Sequence, residues 1–304
     1  MRKPLILELK GNSLDDGPGI RTVVFFKGCP LDCLWCHNPE SKRPEAEISF
    51  AAGDCIACDT CLETCPSEAL SRDNPFYVNR SKCNLCFDCA DACPTGALSR
   101  TGKEMTSDQI LEFILRDMPF FDVSGGGVTL SGGEPTMYME FCGELLQKLQ
   151  ASGINTLLET CGQFNFDHFR RLVLPHTNII YYDLKIFDNR QHQNFCGVGN
   201  KLILENLVKL QRLSMSGEFS LLPRTPLIPD ITDTDENLCA IAQFLQEQGV
   251  KSTRLLLYNP LWYEKNDKLG ITNRFSQRGG GQRWQPPEKV LRCESIFRDR
   301  GISV

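Results

Sequence analysis

The sequence predicts an α/β protein whose central sheet is an open, partial (β/α)6 barrel. Short apolar runs alternate with amphipathic segments along most of the 304 residues, and this alternation is typical of βα units with a parallel sheet. Six runs have the length and composition of strands, whereas a complete barrel of this kind needs eight. We therefore expect a barrel that does not close, with its ligand at the carboxyl ends of the strands.

Each predicted strand is a short run rich in β-branched, aliphatic or aromatic residues, the types that strands favour. Several runs end in Gly, Pro, Asn or Asp, which interrupt strands. The predicted strands are RTVVFFKG (21–28), GVTLSG (127–132), NTLLET (155–160), IIYYDLKI (179–186), FSLLPRTP (219–226) and TRLLLYN (253–259).

Helical segments are predicted between the strands from a 3.6-residue apolar period. The segment 107–118 begins at Ser107, a residue type that caps helix N-termini. A second helix is predicted over 205–213. The last helix begins after the prolines of PPEKVLRCESIFRDRG and ends near Gly301.

Composition limits the class of protein. The chain is 41% hydrophobic, 23% charged and carries a formal net charge of −5, and no Lys/Arg run suggests nucleic-acid binding. No apolar run reaches the roughly 18–20 residues that span a bilayer, and MRKPLILELKGN lacks the pattern of a signal peptide. We expect no nucleic-acid or membrane partner and a cytoplasmic location.

Cysteine is unusually frequent. Eleven of the 16 cysteines occur at C-x2-C or C-x3-C spacing, which favours shared metal ligation over the alternative of disulfides in a long chain without an export signal. The other five, which are Cys142, Cys161, Cys196, Cys239 and Cys293, have no partner at metal spacing and are expected to be small buried hydrophobes.

An internal repeat predicts an insertion within the barrel. CIACDTCLETCPSEALS from Cys55 matches CNLCFDCADACPTGALS from Cys83, and both copies have the C-x2-C-x2-C-x3-C-P spacing of two-cluster bacterial ferredoxins. We expect barrel residues at 1–48 and 102–304 and a ferredoxin-like insertion at 49–101 with two 4Fe–4S clusters. The crossing of fourth ligands in such ferredoxins implies Cys55, Cys58, Cys61 and Cys93 for one cluster and Cys83, Cys86, Cys89 and Cys65 for the other.

A separate group of three cysteines follows the first predicted strand. Cys29, Cys33 and Cys36 lie in GCPLDCLWCHNP, and this group offers three thiolates where a closed zinc site or an ordinary 4Fe–4S cluster uses four. A metal centre with an open coordination position is suited to chemistry. This loop is therefore the predicted centre of the reaction.

Polar residues follow the other predicted strands and are expected to meet at the same end of the barrel. Gly132 and Gly133 form a turn where backbone can approach a ligand closely. The set that follows the strands is Gly132, Gly133, Glu134, Glu159, Asp183, Lys185 and Arg224.

These motifs carry a family resemblance. CPLDCLWC with SGGEP resembles the radical S-adenosylmethionine (SAM) superfamily. DDGPGIRTVVFFKGCPLDCLWCHNPE, SGGGVTLSGGEP, YYDLK, HQNFCGVGN and RTPLIPDITD resemble the activating enzymes of glycyl radical enzymes, the group that includes pyruvate formate-lyase activase. The resemblance runs from about Asp15 to Tyr258, and it implies a barrel of the radical SAM type. The insertion resembles that of the longer members of the group.

The resemblance implies the activity and its cofactors. The enzyme would cleave SAM reductively and remove a hydrogen atom from a backbone glycine of a partner, the glycyl radical enzyme. It would use three 4Fe–4S clusters and a reduced flavodoxin or ferredoxin as electron donor. A radical enzyme acting on a small molecule or peptide, and an electron-transfer iron–sulfur protein, are the alternatives.

The resemblance also implies residue roles. Cys29, Cys33 and Cys36 would hold the cluster whose fourth iron binds SAM, and Asp16 would contact the partner's glycine loop. His37, directly after Cys36, is not expected to reach the open iron. Residues expected to contact SAM are Trp35, Cys36, His37, Gly132, Gly133, Glu134, Glu159, Asp183, Leu184, Lys185, Arg224 and Asn259. Among these, Gly133 and Glu134 would receive the methionine amino group, and Arg224 the carboxylate end.

Two positions depart from the family pattern. Glu159-Thr160-Cys161 replaces Asp-Thr-Asn after the third predicted strand, which leaves open whether a cation binds there. Asn259 replaces a histidine after the sixth, so a hydrogen bond is expected there but no acid–base role. The insertion is expected to conduct electrons or dock a donor, with a structural role as the alternative. Residues 259–285 either select the partner enzyme or form a solvated loop.

Overall fold

The computed structural model describes residues 3–272, 275 and 284–304. Residues 273, 274 and 276–283 of the segment proposed to select a partner lie outside this part of the chain. The strands in chain order are β1 (Leu5–Ser13), β2 (Arg21–Lys27), β3 (Glu47–Phe50), β4 (Leu98–Thr101), β5 (Lys103–Glu104), β6 (Gly127–Gly132), β7 (Asn155–Thr160), β8 (Ile179–Asp183), β9 (Ser220–Pro226) and β10 (Arg254–Leu256).

The main sheet has the order β10–β9–β8–β7–β6–β2–β1–β5. The six strands β2 and β6 to β10 are parallel and adjacent in sequence order, and they confirm the six predicted strands. Strands β2 and β6 are buried along nearly their whole length, as expected for parallel strands covered on both faces. The two edge strands of the sheet are β10 and β5, so the barrel is open.

The sequence analysis did not predict β1 and β5. Strand β1 pairs antiparallel with β2, and β5 pairs antiparallel with β1. In β1 the more buried residues alternate with exposed ones, which is the pattern of a half-buried strand. These two strands extend the sheet beyond the βα units.

The helices connect the strands along the chain and pack on the sheet. Helix α3 (Ser107–Leu115) covers the start of the predicted 107–118 helix, but its N-cap is Thr106 with a capping box to Gln109, not Ser107. The predicted 205–213 helix lies within α8 (Lys201–Ser214), and the last helix follows Pro286, with Pro287 as its first residue. In chain order they are α1 (Thr60–Thr64), α2 (Asp88–Asp91), α3 (Ser107–Leu115), α4 (Met118–Ser124), α5 (Met139–Ala151), α6 (Phe166–Leu172), α7 (Asn189–Cys196), α8 (Lys201–Ser214), α9 (Asp235–Glu247), α10 (Tyr263–Lys268) and α11 (Pro287–Arg298). None of the described helices is both long and apolar enough to cross a bilayer.

The predicted insertion forms a small unit with its own apolar cluster. It starts and ends on β3 and β4, which pair antiparallel, and α1 and α2 follow the first cysteines of each repeat. The two copies of the repeat also share their backbone conformation at equivalent positions. Ala57 and Leu85 have φ of 58° and 60°, and Asp59 and Phe87 have φ of 61° and 70°, a left-handed conformation that residues other than glycine seldom adopt.

Ion pairs and hydrogen bonds fasten this unit to the barrel. The ammonium of Lys27, at the end of β2, lies 2.7 Å from the Glu47 carboxylate and donates to the Glu40 carbonyl at 2.6 Å. The Lys27 side chain is fully buried, and that of Glu47 is 11% exposed. On the other side Arg80 donates to the Lys268 carbonyl at 3.3 Å. The unit is thus held at two places.

Breaking the Lys27–Glu47 pair is expected to lower the free energy of unfolding substantially. Glu47→Gln keeps the side-chain shape but leaves a buried ammonium without its counter-charge, which costs about 3 kcal/mol. Thermal and urea unfolding of the anaerobically prepared protein would measure this loss. Glu112→Gln is the matched control, since it breaks the exposed Glu112–Arg116 pair and should cost about 0.5 kcal/mol or less. Equal losses in the two variants would contradict the role given to the buried pair.

Candidate active site

The loops at the carboxyl ends of the parallel strands enclose a cavity of 360 Å³, a size that suits a small-molecule ligand. Most predicted site residues line it, although they come from five different strand ends. Those that line the cavity are Asp16, Cys29, Cys33, Trp35, Cys36, His37, Gly132, Gly133, Glu134, Glu159, Asp183, Lys185 and Arg224.

Two predicted residues are not brought to the cavity. Leu184 is 4% exposed and packs in the apolar core. Asn259 is exposed, and its side-chain oxygen accepts a hydrogen bond of 2.9 Å from the Leu261 backbone, which caps a short 3-10 helix. The Asn259 side chain therefore makes a hydrogen bond within its own loop. The neighbouring Leu256 and Leu257 line the cavity instead.

The loop that carries the three cysteines is held from two sides. On one side the Cys29 amide donates to the Lys42 carbonyl at 3.0 Å, and the Lys42 ammonium donates to the Cys33 carbonyl at 2.8 Å. On the other side the Asp32 amide donates to the carbonyl of Cys196, the last residue of α7, at 2.8 Å. The end of α7 therefore supports the cysteine loop, a role that the HQNFCGVGN motif did not reveal.

The surroundings of the loop shift the pKa values of two of its thiols in opposite directions. A hydrogen bond with Cys196 lowers the pKa of Cys33 against the effect of burial, and Lys185 and Lys42 lower it further. Burial raises the pKa of Cys36 to about 12. Thiolates are the form that binds iron, so each of these cysteines would give up its proton when a cluster binds.

The glycine turn after β6 packs directly on the cysteine loop. Gly132 has φ of 104°, which favours glycine. A Cβ on Gly133 would lie 2.1 Å from the Gly28 carbonyl oxygen, so only glycine fits. This close approach seats the turn beside Cys29.

The carboxylate of Glu134 links two strand ends. It is 1% exposed, and it accepts hydrogen bonds from the Thr136 amide at 3.2 Å and hydroxyl at 2.6 Å, from the Thr160 hydroxyl at 2.8 Å and from the Cys161 amide at 2.7 Å. Three of these bonds reach Oε1 and one reaches Oε2, so most of the acceptor sites of the carboxylate are used. Gly133 and Glu134 both line the cavity, where the contact with the methionine amino group is predicted.

A buried ionic network forms the wall opposite the cysteine loop. Arg224 donates to Glu159 at 2.5 Å and to Asp183 at 2.8 and 3.0 Å. Lys185 pairs with Asp183 at 2.9 Å. Ser131, which the sequence analysis did not identify, donates to Glu159 at 2.6 Å.

The cations of this network favour the charged form of Asp183. Burial acts against ionisation of Asp183, but Arg224 and Lys185 outweigh it, and its pKa lies below the usual value. Two cations balance two carboxylates, and the bonds of Arg224 use three of its five N–H groups. The arrangement presents a guanidinium to the cavity without burying an unpaired charge.

The imidazole of His37 lies among aromatic rings. Its ring centroid is 6.1 Å from that of Trp262 and 5.9 Å from that of Tyr258. Burial, with added repulsion from Lys265 and Lys185, lowers its pKa to about 4, so it is neutral at neutral pH. Its Nε2 atom is buried with no hydrogen-bond partner in the described part of the chain, as expected where a ligand completes the site.

Asp16 is positioned by residues outside the predicted set. Its carboxylate accepts a hydrogen bond from Ser13, and its carbonyl accepts one of 2.7 Å from the Thr129 hydroxyl. That hydroxyl accepts from the fully buried Arg21 at 2.8 Å. Burial lowers the pKa of Arg21 to about 10. Arg21 was visible in DGPGIR, but its contacts with β6 and β7 were not.

Cys161 brings a further thiol to the cavity. It is 6% exposed, and a side-chain hydrogen bond places it beside Cys29, which, together with burial, raises its pKa. The prediction that the unpaired cysteines are buried agrees with the structure at Cys142, Cys161, Cys196 and Cys293, whereas Cys239 is only half-buried. None of the sixteen cysteines, which all lie in the described residues, forms a disulfide.

The insertion gathers its cysteines in two groups. Cys55, Cys58, Cys61 and Cys93 line one small cavity, which is the set expected for one cluster. Of the other set, Cys65, Cys83 and Cys89 belong to the apolar cluster of the insertion, and burial, followed by the neighbouring Cys65, Cys83, Cys86 and Cys61, raises the pKa of Cys89 to about 11. No three His, Cys, Asp or Glu side chains in the described residues are arranged for a single metal ion. In a 4Fe–4S cluster each cysteine binds its own iron.

Comparisons with known proteins identify the family. The model of the radical SAM superfamily matches residues 23–242. The isethionate sulfite-lyase activating enzyme of Nitratidesulfovibrio vulgaris is 41% identical over 259 residues, covering 83% of this chain and 83% of that protein. The (2S)-3-sulfopropanediol dehydratase activating enzyme of Klebsiella oxytoca is 37% identical over 307 residues, covering 98% and 95%.

A solved structure agrees on the fold. A radical SAM methyltransferase from Sphaerobacter thermophilus aligns with 98% of this chain and 75% of its own at a TM-score of 0.52 and 13% identity. The relatives at 37–41% identity are activating enzymes that match nearly their full length. The chain therefore belongs to the radical SAM superfamily and, within it, to the activating enzymes of glycyl radical enzymes.

Proposed function

We propose that this protein activates a partner glycyl radical enzyme by cleaving SAM in the barrel cavity and removing a hydrogen atom from a backbone glycine of the partner. The observation that carries the proposal is the juxtaposition of Cys29, Cys33 and Cys36 with the Gly132–Gly133 turn and the Arg224 network around one cavity. These are the groups that a cluster and a charged amino-acid cofactor require. When bound, the cluster and SAM supply the one-electron cleavage chemistry.

The residues of the cavity divide the binding task. Cys29, Cys33 and Cys36 hold the iron–sulfur cluster. Gly133 and Glu134, which both line the cavity, receive the methionine amino group. Arg224, fixed by Glu159 and Asp183, attracts the methionine carboxylate.

The base and ribose of SAM occupy the remaining wall. Backbone at Trp35 and Cys36, and the neutral imidazole of His37, border the adenine. The buried, unpartnered Nε2 of His37 gains a hydrogen-bonding partner only when a ligand is bound. Asp183 and Lys185 border the ribose. This division uses charge for the amino acid and uncharged groups for the base.

The partner's glycine loop enters at the rim of the cavity. Asp16 lines this cavity, and the Ser13 and Thr129 hydrogen bonds fix its orientation. Leu257, which also borders the cavity, is 59% exposed. A cavity with both a polar group and an exposed apolar side chain in its lining is suited to a peptide segment.

The insertion carries two further 4Fe–4S clusters, which brings the total to three. Its rigid attachment through Lys27–Glu47 and Arg80 supports a fixed route for electrons from a reduced flavodoxin or ferredoxin. The 16 free cysteines fit a reducing cytoplasm. The insertion is therefore an electron conduit in this proposal.

The first test addresses the reaction. With reductant, SAM and the correct partner, the partner should gain an electron paramagnetic resonance (EPR) doublet from a glycine that retains one α-hydrogen. Deuterated glycine should collapse the doublet and transfer deuterium to 5′-deoxyadenosine. Asp16→Ala should reduce radical formation on the partner about tenfold or more while reducing SAM cleavage much less, because Asp16 faces the partner. Label in a small metabolite, with every candidate partner radical-free, would establish the small-molecule alternative instead.

The second test counts iron. The anaerobically reconstituted protein should bind about twelve irons, and replacement of Cys29, Cys33 and Cys36 by alanine should leave about eight and abolish SAM cleavage. Cys161→Ala is the matched control and should retain about twelve. SAM cleavage by the triple variant would show that the active cluster has been placed at the wrong cysteines.

The third test concerns the conduit. Replacing Cys55, Cys58 and Cys61 by alanine removes one cluster of the insertion and should slow turnover with a reduced flavodoxin far more than turnover with dithionite, since dithionite can reach the cavity directly. The ratio of the two rates is the measured quantity. An unchanged ratio would leave the insertion a structural role.

A further inference from the structure

Tyr77 contacts a predicted cluster ligand in the insertion. Its phenol oxygen lies 3.1 Å from the Cys61 sulfur, and it lines the same small cavity as Cys55, Cys58 and Cys93. Tyr77 is 8% exposed. A thiolate bound to iron carries no proton, so the phenol must be the donor in this contact.

The surrounding chain fixes the phenol in this position. Tyr77 has φ of 63°, a costly conformation for an aromatic residue. Its amide donates to the Asn74 carbonyl at 2.8 Å, and its carbonyl accepts from the Ser71 amide at 2.9 Å. The ring stacks on Phe50 at a centroid distance of 4.3 Å and an interplanar angle of 17°. The segment between the two cysteine repeats therefore aims a hydroxyl at one sulfur.

The sulfur of the fourth cysteine makes the same kinds of contact in both copies of the repeat. Ser67 lies 3.6 Å from the Cys65 sulfur, and its equivalent Thr95 lies 3.8 Å from the Cys93 sulfur. Each of these sulfurs also accepts from one backbone amide, at 3.3 Å for Cys65 and 3.5 Å for Cys93. These contacts do not distinguish one predicted cluster from the other.

The hydrogen bonds to the other cysteine sulfurs differ between the two copies of the repeat. Cys61 receives the Tyr77 phenol, and Cys58 receives the Thr60 hydroxyl at 3.4 Å. The second copy of the repeat has Asp88 in place of Thr60, so it lacks this hydroxyl group. Within the described residues, no N–H or O–H group donates to the sulfur of Cys83, Cys86 or Cys89. These hydroxyl donors are therefore concentrated on the sulfurs of the Cys55/Cys58/Cys61/Cys93 set.

We propose that the Tyr77 hydroxyl, by donating a hydrogen bond to the Cys61 sulfur, makes the Cys55/Cys58/Cys61/Cys93 cluster the more easily reduced of the two in the insertion. Reduction adds one negative charge to a cluster, and a donor aimed at a ligand sulfur stabilises that charge. Hydrogen bonds to sulfur are among the factors that set cluster potentials. The inference rests on the proposed function only in assuming that the insertion binds its two clusters.

Tyr77→Phe is the test variant, because phenylalanine keeps the ring stacked on Phe50 and removes only the hydroxyl. The full-length, cluster-loaded wild type and variant are titrated potentiometrically with dithionite and monitored by EPR. The higher potential of the insertion pair should shift to a more negative value in the variant, while the lower one stays unchanged. Thr64→Val is the matched control, since that hydroxyl donates to the Thr60 carbonyl at 2.7 Å and not to sulfur, and it should leave both potentials in place.

Iron analysis separates the possible failures. A full complement of about twelve irons with no shift in Tyr77→Phe, with a shift of the lower potential, or with equal shifts of both would overturn the proposal alone. Fewer than about eight irons in a variant lacking Cys29, Cys33 and Cys36 would overturn the premise of two insertion clusters and the proposal with it. Neither result depends on whether a glycyl radical is formed.

Discussion

Because β2 and β6 to β10 run in the same direction, every loop that follows one of these strands arrives at the same end of the sheet. Residues far apart in the sequence, such as Cys29, Glu134 and Arg224, thereby face one cavity. The parallel direction depends on the crossover helices, since each connection between neighbouring parallel strands needs a long crossover, usually a helix. The site is thus a consequence of strand direction, and its side chains could change while the geometry of the strand ends stayed the same.

Within this frame, buried polar groups hold the strand ends in register. Glu134 joins the end of β6 to that of β7, and Arg224 joins β9 to β7 and β8. Glu134 is buried with four hydrogen bonds and Arg224 with two carboxylate partners, so neither is an uncompensated buried charge. Removing one member exposes the others to the cost of an unsatisfied buried group. The groups that fix the cavity's shape therefore cannot also move freely during the reaction.

The sequence was informative where a pattern is local. Buried apolar runs predicted the six parallel strands, and fixed spacing predicted the cysteine groups. The half-buried strand β1 was not predicted, since its mixture of Leu, Glu and Lys resembles an ordinary exposed segment. The proximity of Cys161 to Cys29 could not be predicted either, because no spacing rule connects residues on different strands. The role expected of Asn259 is not supported by its position, where a local backbone contact holds its side chain.

Strands β3 and β4 give the insertion adjacent ends. Glu47 pairs with Thr101 and Phe50 with Leu98, so the chain leaves and re-enters the barrel across the width of one strand pair, about 5 Å. A segment with neighbouring ends can be lengthened, shortened or exchanged at a small cost in loop-closure entropy. The same barrel can accordingly exist with or without this unit, and the unit can change independently of the residues at the strand ends.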